Sequence, residues 1–326
     1  MRMNKKKYGF VAFLLLLIAV VSLGATNIYV NYNQHSEEGE KLHVVTSFYP
    51  MYIAAMNVVD GCDSVILENL SEPQTGCLHD YQLTPEDMVL LSKADVFIIN
   101  GGGIESFLSD IAARYPDLTI INAGADTSME GENAHVWMDM ENYQKQVKTI
   151  AKGLGDARFN QAGHHDHTHD GEDSREELTN ETESFEKDAV LFENNAEVYC
   201  EKIQTLMDEY QNIRNAGEKV VLFHEAYEYL AHEWNLEDVY TLNLDEERQV
   251  SAGEVADVLE AVEKDDVSLI LAEQLYGEET ARTIEKEADV NVVYLDPCVR
   301  GDYEKDAYLK AMRNNLDLLQ QALEKQ

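Results

Sequence analysis

The chain reads as an α/β protein built from two open lobes of four strand-helix units each, joined by a long spine helix, with a ligand cleft between the lobes. Three observations predict this. β-branched runs alternate with stretches whose apolar residues fall three and four apart, the pattern of parallel sheets covered by helices. The alternation occurs four times before residue 160 and four times after residue 216. The length of 326 residues suits two domains better than one.

Taken in order, a polar spacer runs from Asn31 to Lys41, and then LHVVTSF precedes a helix expected at Pro50 to Val59. DSVILEN precedes Pro85 to Ala94, DVFIING precedes Glu105 to Tyr115, and LTIINAG leads through a loop to Glu141 to Leu154. In the second lobe KVVLFHE precedes Ala226 to Trp234, VYTLNL precedes Gly253 to Lys264, VSLILAE precedes Glu279 to Glu287, and VNVVYLD precedes Tyr303 to Glu324. Between the lobes, Asp188 to Arg214 is read as the spine, since Val190, Leu191, Ala196, Tyr199, Ile203, Leu206 and Met207 fit one stripe. The segment before it contains HHDHTHDGED and then acidic, almost apolar-free sequence, the composition of an exposed loop. The expected divisions are 1–41 (signal or anchor and spacer), 42–160 (first lobe), 161–187 (His-rich and acidic loop), 188–215 (linking helix) and 216–326 (second lobe).

A basic cluster from Arg2 to Lys7 precedes an apolar run from Tyr8 to Val30, the layout of an export signal or of an uncleaved anchor. The remainder is therefore expected outside the cytoplasm, at the cell surface or in the periplasm, with residues 8–30 as its contact with a membrane. No cysteine follows this run closely. Cys62, Cys77, Cys200 and Cys298 allow three complete pairings, and spacing does not choose among them. With 62 acidic residues against 25 basic ones, the net charge of −37 excludes nucleic acid as a partner and enriches cations near the surface.

Open α/β sheets bind ligands at the carboxyl ends of their strands. Four candidate metal ligands fall in the loops there, His79 and His135 in the first lobe, His224 and Asp296 in the second. Three imidazoles and a carboxylate match the tetrahedral preference of zinc, and an ion bound by both lobes would lock the cleft. His232 lies two helical turns beyond His224, too far along the helix to share its ion. His164, His165, His167 and His169 form a different signal, a multivalent tract suited to auxiliary metal capture.

The motifs HDYQLTPED (His79 to Asp87), NAHVWMD around His135, VVLFHEAYEYLA around His224 and VVYLDP ending at Asp296 resemble those of the metal-specific solute-binding proteins of ABC importers (cluster A-I type). This family includes zinc and manganese receptors and so-called surface adhesins, and the resemblance spans nearly everything from Leu42 onward. Leu78 stands where the family commonly has proline, and the His-rich tract lies later than such loops usually do. Thr84 can cap a helix that Pro85 begins, which would hold the His79 segment rigid. The resemblance implies His79, His135, His224 and Asp296 as ligands, with Trp137 behind the site and Glu273 in the cleft wall. It implies zinc as the transported ion, because His224 stands where manganese carriers often have Glu, with manganese the alternative. It also implies an ABC permease and its ATPase as partners, and no enzymatic activity.

Cys298, two residues beyond Asp296, and Cys77, two before His79, leave a disulfide or an extra soft ligand open. Two other classes remain as alternatives. A secreted zinc hydrolase would use Glu225 or Glu273 as base, yet HEAYE lacks the second His of HExxH. An adhesin is suggested by Arg300-Gly301-Asp302, a tripeptide short enough to arise by chance.

Overall fold

The computed structural model describes residues 41–72, 78, 81–165, 174–211, 217–244 and 250–324, with only the helical path given for 162–165 and 174–182. In the first lobe β1 (Leu42–Thr46), β2 (Val65–Asn69), β3 (Val96–Ile99) and β4 (Thr119–Asn122) form one sheet in the order β2-β1-β3-β4. In the second, β5 (Lys219–Leu222), β6 (Glu237–Thr241), β7 (Leu269–Glu273) and β8 (Asn291–Leu295) repeat that arrangement as β6-β5-β7-β8. β1 pairs with β3 and β3 with β4 in parallel, and all three pairings of the second sheet are parallel. The alternation in the sequence thus becomes two sheets of one topology.

Burial follows position in the sheet. β3 (VFII) and β7 (LILAE) are central and buried at every residue, as helices cover both faces. β2 and β6 are edges and carry charged residues, among them Glu68 and Glu237. The second core packs Val221, Phe223 and Ile270 of the sheet against Val258, Val262 and Ile284 of its helices. In each lobe the strand order reverses between the first and third strands, which opens a crevice at their carboxyl ends.

The helices of the first lobe are α1 (Tyr49–Val58), α2 (Pro85–Leu91), α3 (Leu108–Arg114) and α4 (Met140–His165). Thr84 caps α2 as expected, in a reciprocal box: its hydroxyl accepts from the Asp87 N–H, and the Asp87 carboxylate accepts from the Thr84 N–H and from the Tyr81 hydroxyl. After α5 (Ser174–Glu209), the second lobe contributes α6 (Ala226–Glu233), α7 (Ala252–Asp265), α8 (Gln274–Glu287) and α9 (Ala307–Leu323). α8 begins five residues before the expected Glu279, because β7 runs straight into Glu273 at its N-terminus.

The polar segment expected as a loop over 161–187 is largely helical instead. α4 continues to His165, and α5 opens at Ser174 rather than at Asp188. Glu, Lys, Arg and Gln are good helix formers whether or not they are buried, so low apolar content signalled exposure and not the absence of a helix. The 36 residues of α5 span about 54 Å.

Its anchor is Arg158 of α4, only 2% exposed, whose Nε and Nη2 donate to Asp188 Oδ2 at 3.0 and 2.9 Å. Ser64 Oγ donates to the same oxygen, and the Phe185 ring lies 4.4 Å beneath the guanidinium. Further along, Asn195 donates to the carbonyls of Val58 and Asp60, which ties α5 to the end of α1. Among the described residues no helix is long and apolar enough to cross a membrane, and the expected signal or anchor stretch lies outside them.

Asp188→Ala removes the charge-assisted bonds between Asp188 and the buried Arg158 and is expected to lower unfolding stability by about 1–3 kcal/mol, read from the midpoint of a urea titration.

Candidate metal centre

His224 follows β5 at the point where the strand order of the second sheet reverses, and His135 lies in the loop after β4 at the start of a 3₁₀ turn, Val136–Met138. Both are buried, and their rings meet edge to face with centroids 5.0 Å apart. Imidazoles from opposite lobes are therefore in contact.

The His135 ring is held by Asn133. Asn133 Oδ1 accepts from the His135 main-chain N–H at 3.0 Å and lies 2.9 Å from His135 Nδ1, while its Nδ2 donates to the Glu225 carbonyl and to Glu228 Oε2. An amide whose nitrogen already serves two acceptors must present oxygen to the ring, so Nδ1 carries the proton and the lone pair is on Nε2. This is the orientation that second partners impose on metal-binding histidines. Glu225 Oε1 adds a carboxylate 3.4 Å from the same Nδ1. His224 is set differently, since its Nδ1 accepts from the Ala226 N–H at the start of α6. Ligation through Nε2 would move a proton to Nδ1 at the expense of that bond, whereas ligation through Nδ1 would replace it.

Trp137 packs 5.1 Å from the His135 ring and donates its indole N–H to the Pro297 carbonyl of the second lobe at 2.9 Å. Asp296 thus stands one residue from a direct tie to the histidine pair. Its Oδ1 accepts from the Cys298 N–H, and its main chain exchanges two bonds with the Asn315 amide. Burial raises its carboxyl pKa, opposed by the Cys298 N–H and by the charge of Arg300. The side chain lines a cavity of about 560 Å³ with Glu273 and Arg300.

Of the four ligands expected from the sequence, the structure brings His135 and His224 together and sets Asp296 in the cavity lined by Glu273 and Arg300, while His79 lies outside the described residues. Among the described residues no three His, Cys, Asp or Glu side chains are grouped so as to hold a metal ion. Glu273 forms an ion pair with Arg300 at 3.2 Å. Of the His-rich tract, His164 and His165 end α4 with no side-chain placement described, and His167 and His169 lie outside the described residues. Cys62, Cys200 and Cys298 are free thiols, Cys298 donating to the Asp296 carbonyl, and Cys77 lies outside the described residues. Asn133 was not singled out by the motifs. Its signal is an amide two residues before a histidine, within reach of that residue's backbone.

Around this centre α6 grips the loop that carries His135. Tyr229 Oη donates to the Asn133 carbonyl and accepts from the Glu130 N–H, and Glu233 accepts from the Met140 N–H. His232 completes the grip, with Nδ1 2.6 Å from Glu130 Oε2 in one lobe and Nε2 2.6 Å from Asp238 Oδ1 in the other. Burial works against the charged ring, but the bonds to Asp238 and Glu130 outweigh it and hold the His232 pKa above the ordinary imidazole value.

Two parallel α/β lobes of one strand order, facing each other across buried imidazoles, define a two-lobed solute-binding protein. The chain belongs to the family described as zinc-uptake complex component A, periplasmic, which matches residues 44–188 and 176–322. It is 24% identical over 330 residues to the manganese-binding lipoprotein MntA of Halalkalibacterium halodurans, covering 97% of each chain. To the high-affinity zinc uptake system protein ZnuA of Bacillus subtilis it is 25% identical over 316 residues, covering 88% of this chain and 89% of that one. The fold is shared with the solute-binding protein FpvC of Pseudomonas aeruginosa in complex with Ni2+, at a TM-score of 0.71 and 23% identity, over 87% of this chain and 97% of that one.

Because the His232 pKa is raised on folding, its contribution to stability is full below the unfolded value of about 6.5 and fades as pH climbs through the folded value. His232→Gln is therefore expected to lower the melting temperature clearly at about pH 5.5 and hardly at all at about pH 8.5, in melts followed by circular dichroism.

Proposed function

We propose that this chain is the extracytoplasmic subunit that captures a divalent transition metal and delivers it to an ABC permease driven by its ATPase, with zinc as the cargo. The observation that carries the reading is the contact between buried His135 and His224 from opposite lobes, with Asn133 holding the His135 lone pair on Nε2. His135, His224 and Asp296, together with His79 on the strength of its motif, are the proposed ligands. Trp137 supports them from behind, Glu273 belongs to the cavity wall, and His164, His165, His167 and His169 are proposed to gather ions for the cleft. Residues 8–30 are proposed as the export or anchor segment.

Imidazole-rich donor sets suit zinc. Manganese keeps a specific support of its own, because Glu225 lies beside His135 and a relative over nearly the whole chain bears a manganese-binding name. One named relative is a manganese-binding lipoprotein and the other a zinc uptake system protein, and no catalytic step is proposed for this chain. The Arg300-Gly301-Asp302 tripeptide is committed to internal contacts: Arg300 pairs with Glu273, and the Asp302 carbonyl accepts from Tyr49.

Titration calorimetry of the metal-free exported domain tests the reading. Zinc is expected to bind tightly once per chain, His135→Ala and His224→Ala to weaken it by at least a hundredfold, and Asn133→Ala by about ten- to a hundredfold. Equally tight binding by both histidine variants would refute the ligand set, and tighter binding of manganese than zinc would make manganese the cargo. Deleting residues 163–173 is expected to remove weak zinc equivalents and keep the tight one, and loss of the tight transition would give the tract a principal ligand.

A further inference from the structure

At the carboxyl edge of the second sheet, Glu273 and Leu295 are register partners on adjacent parallel strands, so Asp296 follows immediately beside Glu273. Two carboxylates at neighbouring strand ends, lining one cavity, are what an oxygen-seeking cation requires. The chain also carries a net charge of −37, which draws every cation toward it, the abundant hard ones included.

A single cation stands among the described residues lining that cavity, Arg300. Its Nη2 lies 3.2 Å from Glu273 Oε1, its guanidinium carbon is 5.7 Å from the Tyr276 ring centroid, and its side chain is 23% exposed. Its Nε is buried with no hydrogen-bond partner, so the head group is not fully committed to Glu273. The loop that carries it is held in a constrained conformation. Cys298 adopts a left-handed φ of 59°, and Gly301 a φ of 142° at which a Cβ would come within 2.8 Å of Tyr49 Oη. Tyr49 then fastens the loop by donating to the Asp302 carbonyl at 2.7 Å.

We propose that Arg300 is a specificity-determining residue, a resident counter-cation that denies the Asp296–Glu273 carboxylate pair to hard divalent ions such as calcium and manganese. The proposal rests on the metal-binding reading above. Guanidinium does not lose its proton at any relevant pH, so its opposition to an incoming ion is permanent. Calcium and manganese depend on several carboxylate oxygens and meet that opposition in full. Zinc draws more of its affinity from the imidazoles of His135 and His224, which are not part of that carboxylate pair, and meets less of it.

The test is calorimetric titration of the full exported domain with zinc, manganese and calcium chlorides, for wild type, Arg300→Gln, Arg300→Lys and Glu273→Gln. For Arg300→Gln, the ratio of zinc affinity to manganese or calcium affinity is expected to fall by about tenfold or more through a gain in the hard ions. Arg300→Lys keeps the charge and should stay near the wild-type ratio. Glu273→Gln leaves Arg300 in excess and should move the ratio the other way, which keeps the idea testable if Arg300→Gln does not fold. An unchanged ratio, or one that falls only because zinc binding is lost, overturns the proposal. Failure of wild type to bind zinc would instead defeat the reading above, and the manganese and calcium titrations would still decide the role of Arg300.

Discussion

A buried indole N–H must find an acceptor, and the one that Trp137 finds lies in the other lobe. With Trp137 wholly buried, loss of its bond to the Pro297 carbonyl would leave a desolvated donor costing on the order of 1–3 kcal/mol, so the ring acts as a strut between the loops that carry His135 and Asp296. Phe48 and His135 pack against its ring, and its own carbonyl accepts from the Tyr308 hydroxyl of α9. Elements drawn from both halves of the chain thus converge on one residue.

Around this strut the lobes meet through ring contacts and through hydrogen bonds with defined partners. Asn133 joins two tasks that are usually separate, because the amide that fixes the His135 ring also bonds the Glu225 carbonyl and Glu228 across the gap. Ring orientation and lobe approach are consequently coupled. A movement of α6 away from the 130–140 loop breaks the contacts of Tyr229, His232 and Glu233 together and releases the imidazole as well.

Most of the fold was legible because parallel strands buried on both faces are near-continuous β-branched runs, as in VFII and VVLF, and cannot easily be read as anything else. His135 and His224 were legible by position, since strand-end loops are where open sheets offer their side chains. The helical residues 161–165 and 174–187 were not legible because exposure and loop structure share a composition, and the burial of Phe185 and Arg158 reveals how that helix pair is pinned. The distant partners of Asn133, Glu225 and Arg300 could not be read from their own neighbourhoods. The roles of these residues depend on partners as many as 96 residues away, and a choice of partner across a cleft leaves no periodic trace.

The free thiol of Cys298 has a consequence for the lifetime of the protein. It is 2% exposed, and burial pushes its pKa well above the ordinary thiol value, with the Asp296 charge adding to the effect. Attack on disulfides and oxidants proceeds through the thiolate, so burial and the disfavoured thiolate both slow reaction of the sulfur beside the proposed ligand while the loop is seated. Its first reaction with an alkylating reagent therefore marks the moment at which that loop lifts, which makes Cys298 a built-in clock for the opening of the second lobe's rim.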